Sequence, residues 1–358
     1  MLRPLHGWRK ISTVFGGHAA QDGMTPSARG GRRRRYLAGA AVVLVAFAAS
    51  GAVAQPPARP YRIGVLSNAF VPGIPPIMGL RAGIKAEGLE EGRDVTFEIR
   101  STGSDEKKTP ALAAELAREN PHVIVAIGEF ETRAAMAAAP RTPVVFNQIA
   151  DPVAIGLVAS VARPGGQLTG VSNLYTELVP KRIELAKEIV PNLRRVLMVY
   201  DAQDPATAAG ARKAQQVAAS LKVNVVVRPV RTQDEAVREL KTAGARDVLL
   251  APATLNLNLM ELILNLNLYV VAPAVFPASF WVQAGGVASY GVEHYAEGVQ
   301  SARLVAKILR GARPGDLPVE GVNKIEMTLN RKTLKAFGVT IPPALAVRVD
   351  RVFEGIGE

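Results

Sequence analysis

The sequence predicts an α/β protein with two units of parallel sheet flanked by helices. Short apolar runs of strand length alternate with amphipathic segments of helix length. This alternation occurs twice, once in each half of the chain after residue 60. The chain has 358 residues, of which 48% are apolar, so it can bury a large core and divide into two or three units.

The strands of the first unit are near-continuous apolar runs, which are typical of parallel strands buried on both faces. The segments between them carry apolar residues at helical spacing. The predicted strands are Tyr61–Ser67, Asp94–Ser101, Val123–Gly128 and Pro143–Ala150, and the predicted helices are Pro76–Glu87, Pro110–Glu119 and Thr132–Ala138.

The second unit repeats this plan, with strands predicted at Arg195–Asp201, Val223–Val230, Asp247–Pro252 and Tyr269–Ala274. The segment Leu255–Tyr269, LNLNLMELILNLNLY, alternates as a strand would at its two ends. We predict a helix there, because it lies between two strands and keeps an apolar stripe through Met260, Leu264 and Leu268.

The segment Ala284–Gly291, AGGVASYG, is an apolar strand with glycines at both ends, and a long amphipathic helix follows it. Glycine permits backbone rotation, so this segment suits a chain that crosses between the two units. We expect a hinge here.

The amino-terminal region resembles a secretory leader. Arg32 to Arg35 precede an apolar run from Tyr36 to Ala49, and Ala52-Val53-Ala54 forms a small-x-small cleavage site. The apolar run is shorter than the roughly 20 residues that span a bilayer. We therefore predict a cleaved signal peptide at residues 1–54 and a periplasmic protein; both a start at Met24 and twin-arginine export remain open.

The composition argues against several function classes. The net charge is +12, but residues 1–54 hold eight Lys and Arg against one acid, so we expect no nucleic-acid partner. There is no Cys, and the histidines after the leader, His122 and His294, lie far apart in the sequence with no carboxylate at ligand spacing. We therefore predict no metal site and no cofactor.

Polar residues gather in the segment from Val144 to Asn173, VVFNQIADPVAIGLVASVARPGGQLTGVSN. Asn147 and Asp151 follow a predicted strand, and Ser172 and Asn173 end the strand that leaves the first unit. Ligands of open parallel sheets bind at the carboxyl ends of the strands. These residues are binding candidates, although Asp151 is equally suited to capping a helix that begins at Pro152.

Four stretches together resemble the ABC transporter substrate-binding protein family, typified by tryptophan- and phenylalanine-binding members. They are DPVAIGLVASVARPGGQLTGVSN, KRIELAKEIVPNLRRVLMVYD, FWVQAGGVASYG and the carboxyl-terminal ARPGDLPVEGVNKIEMTLNRKTLKAFGVTIPPALAVRVDRV. The resemblance runs from about Tyr61 to Val352.

The resemblance implies a type I periplasmic binding protein architecture, with two Rossmann-like lobes, an interlobe hinge and a ligand cleft. We expect lobe 1 to comprise residues 61–172 and about 285–318, and lobe 2 to comprise 173–284 and about 319–352. The implied function is capture of a small, amino-acid-like solute for a permease in the inner membrane, by a monomer without enzymatic activity.

The candidate ligand-binding residues are those that follow the predicted strands of the two lobes. They are Ser67, Asn68, Gly128, Glu129, Phe130, Glu131, Thr132, Asn147, Asp151, Asn173, Tyr175, Asp201, Gln203, Thr254 and Phe276. The aromatic candidates could stack on a flat ligand, although buried aromatics usually belong to the core.

This chain has GEFETRAA where the family commonly has a Gly-Thr-Pro-Ala-like run. Glu129 and Glu131 would favour a cationic solute if they face the cleft. Alternatively, both acids point to water at a helix amino terminus, where a negative charge is mildly favourable.

Two other classes fit less well. A Rossmann-type enzyme would carry a G-x-G-x-x-G loop after its first strand, where this chain has VLSNAFVPGIPP. A repressor with this fold would carry a DNA-binding domain where the leader lies. A receptor that passes its signal to a sensor protein instead of a permease remains a full alternative.

Export gives the first testable prediction. When the chain is expressed with its own leader, the mature protein should begin at Gln55 and appear in the periplasmic fraction, because cleavage follows Ala54. Amino-terminal sequencing of the exported protein checks this. A secreted form that retains residues before Arg32 would contradict it.

Overall fold

The computed structural model describes residues 60–68, 74–103, 105–190, 192–244, 246–252 and 259–357. The predicted leader at 1–54 and the candidate Thr254 lie outside these residues. Among the residues described, no helix has both the length and the hydropathy needed to cross a membrane.

The first sheet has six strands, all parallel, in the order β11-β5-β4-β3-β1-β2. Its strands are β1 (Tyr61–Ser67), β2 (Val95–Ser101), β3 (Val123–Ile127), β4 (Val144–Ile149), β5 (Leu168–Ser172) and β11 (Glu320–Gly321). The helices that connect or cover them are α1 (Pro75–Ala86), α2 (Thr109–Arg118), α3 (Glu129–Ala138) and α9 (His294–Leu309).

The second sheet has seven strands in the order β13-β12-β10-β9-β8-β6-β7. They are β6 (Arg195–Asp201), β7 (Val225–Val230), β8 (Asp247–Leu250), β9 (Ala274–Phe276), β10 (Ala288–Val292), β12 (Ile325–Asn330) and β13 (Arg351–Phe353). The other helices are α4 (Tyr175–Ile189), α5 (Pro205–Leu221), α6 (Gln233–Leu240), α7 (Leu259–Leu268), α8 (Ser279–Gln283), α10 (Arg331–Ala336) and α11 (Pro343–Ala346).

The two sheets share one topology. The order β2-β1-β3-β4-β5 in the first sheet is repeated as β7-β6-β8-β9-β10 in the second, and all these neighbours are parallel. Only β12 runs antiparallel to its neighbour β10. The predicted fold class, two helix-flanked sheets that are mainly parallel, is confirmed.

The chain passes between the sheets at three places: from β5 to α4, from β10 to α9 and from β11 to β12. Arg182 of α4 connects the first two of these places. Its Nε donates to the carbonyl oxygen of Tyr290 at 2.8 Å, its Nη1 donates to that of Tyr175 at 3.3 Å, and its guanidinium stacks on the Tyr175 ring. Burial lowers the pKa of Arg182 to about 10, so it remains charged at neutral pH.

Two predicted boundaries differ from the observed sheets. We expected residues 285–318 in lobe 1 and residues from 319 in lobe 2, but β10 pairs with β9 and β12 in the second sheet. Conversely, β11 pairs with β5 in the first sheet. The chain therefore leaves the second sheet after Val292 and not at the glycines near 285.

The strand predicted at Tyr269–Ala274 is wrong. Helix α7 ends there instead, with the Tyr269 amide donating to the Asn265 carbonyl and the Val271 amide donating to the Leu266 carbonyl. Val270 has a φ of 58°, in the left-handed region, which ends the helix, and β9 begins only at Ala274. The predicted helix in the Leu-Asn repeat is confirmed for Leu259–Leu268.

Helices α1 and α9 pack with their backbones in close approach on the first sheet. A Cβ on Gly298 would collide with the Pro76 carbonyl oxygen, and one on Gly79 would collide with that of Tyr295. Glycine is required at both positions because a backbone atom cannot move aside as a flexible side chain can.

This packing gives a stability prediction. Gly298→Ala should lower the free energy of unfolding by about 1–3 kcal/mol, because the added methyl must push the two helices apart. Gly244→Ala is the matched control: a Cβ there meets no atom within 4 Å, and we expect a change within about 0.5 kcal/mol. Urea denaturation measures both variants, and equal midpoints would refute the close-approach argument.

Candidate functional site

The carboxyl edge of the first sheet carries a row of polar groups. Ser67 pairs with Ser101 of β2 and Ile127 of β3, and Ile127 pairs with Asn147 of β4. The Thr102 amide extends this row by donating to the Ser67 carbonyl oxygen at 2.9 Å. Since parallel strands lie about 4.8 Å apart, these residues form one continuous edge. Those from β2, β1 and β4 are polar, and Ile127 of β3 is apolar.

Helix α3 begins at this edge from Gly128. The φ of Gly128 is 114°, which requires glycine, and a Cβ there would also displace the Glu131 side chain, whose Oε2 lies against this position. The Thr132 hydroxyl donates to the Gly128 carbonyl oxygen at 2.6 Å. The predicted candidates Gly128 and Thr132 therefore form the first turn of the helix.

Glu129 and Glu131 occupy different environments, contrary to both alternatives in the sequence analysis, which treated them together. Glu129 is half-exposed, and its Oε1 accepts from Arg133 Nε at 2.8 Å on the surface of α3. Glu131 is only 1% exposed. Phe130, between them, is 52% exposed.

The carboxyl group of Glu131 has little compensation for its burial. Loss of solvation raises its pKa to about 7, although a hydrogen bond from its own backbone N–H partly opposes the shift. The charge of Glu106, just before α2, raises the pKa further. No ion pair in the described part of the chain involves Glu131.

Buried polar atoms without hydrogen-bond partners concentrate at this edge. The residues described contain six such side-chain atoms, and four of them lie just after β2, in α2, in α3 and in β4. We call these four residues the edge cluster: Thr102, Thr109, Glu131 and Asn147. An unpartnered buried polar group costs about 1–3 kcal/mol, so the cluster is expensive unless something binds to it.

A β-bulge at the end of β4 shapes the adjacent surface. The register shifts between Phe146 and Ile149, and Gln148 has a φ of 58°. The Gln148 amide donates to Oε1 of the buried Glu297, whose Oε2 lies 2.9 Å from Nδ1 of His294. His294 therefore has a carboxylate partner that the sequence analysis did not find at ligand spacing: Glu297 lies one helical turn further along α9.

Three predicted residues near the first crossing have local partners. Oδ1 of Asp151 accepts from the Val153 and Ala154 amides as a helix cap would, but residues 152–156 form turns and not the helix that the sequence left open. Oδ1 of Asn173 accepts from the Tyr175 amide. Tyr175 is 2% exposed, and its hydroxyl donates to the Ala251 carbonyl oxygen at 3.3 Å.

The predicted residues of the second lobe are less concentrated. Asp201 ends β6, and its Oδ1 accepts from the amide of Gln203, which is itself exposed. Phe276 was expected in the loop after a strand, but it lies within β9, is fully buried and stacks on Trp281 at 6.0 Å. This correction follows from the late start of β9.

Ser67 and Asn68 are where the sequence predicts them, at the end of β1 and just after it. Sequence reasoning missed Thr102 and Thr109. The same rule that selected residues after β1, β3 and β4 would have selected Thr102 after β2 and Thr109 at the start of the next helix.

Surface cavities of about 370 and 240 Å³ lie elsewhere. The first is beside β7 and α6 and the second is between α4 and the carboxyl-terminal region, and neither is lined by a predicted residue. The edge cluster is therefore distinguished by its chemistry and not by an open cavity.

A family model described as ABC transporter substrate binding protein matches residues 74–353. The chain belongs to this family. The family's function is binding of small solutes and not catalysis, and its members are extracytoplasmic.

Relatives of this substrate-binding protein support the assignment. A tyrosine-binding protein of Clostridioides difficile (strain R20291) is 24% identical over 260 residues, covering 72% of this chain and 75% of its own length. A conserved domain protein from Vibrio cholerae has a TM-score of 0.72 at 27% identity, covering 82% of this chain and all of its own. An ABC domain from Streptococcus pneumonia in complex with L-Trp has a TM-score of 0.71 at 22% identity, with the same coverage.

Glu131 should make the stability of this substrate-binding protein depend on pH. Its folded pKa of about 7 lies above its ordinary value of 4.5, so between these values the folded state holds a proton that the unfolded chain has released. The free energy of unfolding should therefore fall as the pH rises through this window, by up to about 3 kcal/mol at roughly 1.4 kcal/mol per pKa unit.

Glu131→Gln should remove this part of the pH dependence and be more stable than the wild type above pH 7, because the buried charge is gone. Glu129→Gln, on the exposed surface of the same helix, is the control and should follow the wild type. Denaturant unfolding between pH 4 and pH 8 measures all three proteins. If the free energy of unfolding depends on pH in the same way in Glu131→Gln and in the wild type, the burial argument is contradicted.

Proposed function

We propose that the protein captures a small, amino-acid-like solute in a cleft between its two lobes and delivers it to an ABC permease of the inner membrane. The observation that carries this proposal is the edge cluster, which combines buried, unpartnered polar atoms with the carboxyl edge of a parallel sheet. Ligands of such sheets bind at this edge, where β1 lies between β2 and β3 and the strand order reverses.

The names of the relatives support an amino-acid-like solute. One is a tyrosine-binding protein, and another was solved in complex with L-Trp. Candidate contacts in this chain come from Ser67, Asn68, Gly128 and the edge cluster on the first lobe, and from Asp201 and Gln203 on the second.

Solute capture requires the lobes to close, and the three crossings are the segments that would bend. Arg182 holds the carbonyl groups of Tyr175 and Tyr290 together, so we expect the first two crossings to move as one unit. A closed form presents a different surface to a membrane partner, which makes delivery depend on the bound solute.

The proposed setting is the periplasm, reached through the predicted signal peptide, and the proposed form is a monomer. A protein that binds the permease only when it carries a solute needs no membrane-spanning segment. It also needs no second copy of itself to form its binding site. Reconstitution with candidate permeases would separate solute delivery from signalling to a sensor protein.

Solute capture predicts a measurable closure. The protein purified from cells should carry a small molecule that native mass spectrometry detects and that denaturation releases. Adding that molecule back at a hundred times its dissociation constant should raise the free energy of unfolding by about 2.7 kcal/mol. Small-angle scattering should show a smaller radius of gyration.

A protein that binds this molecule with an unchanged radius would contradict closure and leave binding intact. A protein that carries no solute, and that a library of amino acids and related metabolites does not stabilise, would contradict the proposed function itself.

A further inference from the structure

We infer that the solute carries a cationic side-chain group with N–H donors, an ammonium or a guanidinium in addition to any α-ammonium, and that the edge cluster receives this group through Glu131. The inference rests on the proposed function, because it assigns a chemical class to the solute bound at that site.

The hydrogen-bonding capacity of the edge cluster favours a donor. The unpartnered atoms are a carboxyl oxygen of Glu131, the amide oxygen of Asn147 and the hydroxyls of Thr102 and Thr109. The carboxylate and amide oxygens accept only, and the hydroxyls can accept as well as donate. A group with several N–H donors can therefore serve any of these atoms, whereas an anion can use only the two hydroxyls.

The charge at this edge also favours a cationic group. Glu131 is fully buried, and Glu106 adds a second negative charge close enough to act on it. Arg133, the basic residue of the same helix, is already engaged by Glu129 and by the Ile155 carbonyl oxygen. Since no ion pair of the described residues reaches Glu131, the ligand is the natural source of the missing positive charge.

The energetic balance explains why such a ligand would bind selectively. The carboxyl group of Glu131 is already removed from water in the free protein, so a cation that binds its ionised form gains a charge-assisted hydrogen bond without first stripping water from it. A neutral isostere gains only an ordinary hydrogen bond, and an anion meets an uncompensated carboxylate.

Two pairs of amino acids of similar shape test the inference on the wild-type protein: L-arginine with neutral L-citrulline, and L-lysine with neutral L-norleucine. Isothermal titration calorimetry at pH 7.5 measures the four affinities. In at least one pair, the cationic member should bind at least tenfold more tightly than the neutral member. If the neutral members bind as well or better in both pairs, the inference is wrong.

The variant Glu131→Gln should lose at least tenfold in affinity for the preferred cation and keep its affinity for the neutral member of that pair. Glu115→Gln, which removes an exposed acid of α2 paired with Arg100 at 3.7 Å, controls for the general loss of negative charge and should bind as the wild type does. Equal losses in the two variants would show that only the overall field matters and would overturn the role of Glu131.

If Glu131→Gln does not fold, the two pairs of probe amino acids measured on the wild-type protein still test the inference. If the four probes do not bind but a solute copurifies, the structure of that solute decides: a molecule without a cationic side-chain group overturns the inference and leaves the proposed function standing. The absence of any bound or binding solute would instead count against the proposed function.

Discussion

The parallel arrangement of the first sheet is the constraint on which the candidate site depends. Because all its strands run in the same direction, the chain must return after each one, and every carboxyl end reaches the same edge. Residues as distant in sequence as Thr102 and Asn147 therefore share one row with Ser67 between them. The second sheet repeats the strand order, so its parallel strands also bring their carboxyl ends to one edge.

The edge cluster lowers the stability of the folded protein. Four buried polar atoms without partners, one of them on a carboxyl group, weaken the free protein relative to an apolar edge. The local backbone accommodates one of them: Gly128, at a φ that favours glycine, has no Cβ to displace the Glu131 carboxyl group. In the binding role that we propose, a ligand that supplies the missing partners offsets this cost and links apo stability to affinity at Glu131.

The crossings between the sheets show a second use of buried polar groups. Arg182 is buried with a positive charge, yet its contacts are carbonyl oxygens and an aromatic ring in place of a carboxylate. Near the second crossing, Glu297 accepts from the Gln148 amide and lies against His294. These hydrogen bonds pair the buried polar groups beside the first two crossings. The buried polar atoms of the edge cluster have no such partners.

The sequence by itself determined the class of fold and the family, because apolar runs and separated motifs are local properties of the chain. It also located most strands of the two units and the helix in the Leu-Asn repeat. It placed Glu129 and Glu131 in one category: two positions apart they point to different sides of a helix, but the pattern did not show which side is covered. Only the tertiary structure separated them, because burial depends on what packs over each side chain: Glu129 reaches Arg133 at the surface, and Glu131 lies beneath it. Likewise, the late start of β9 moved Phe276 into the core, and strand pairing across the chain assigned β10 and β11 to their sheets.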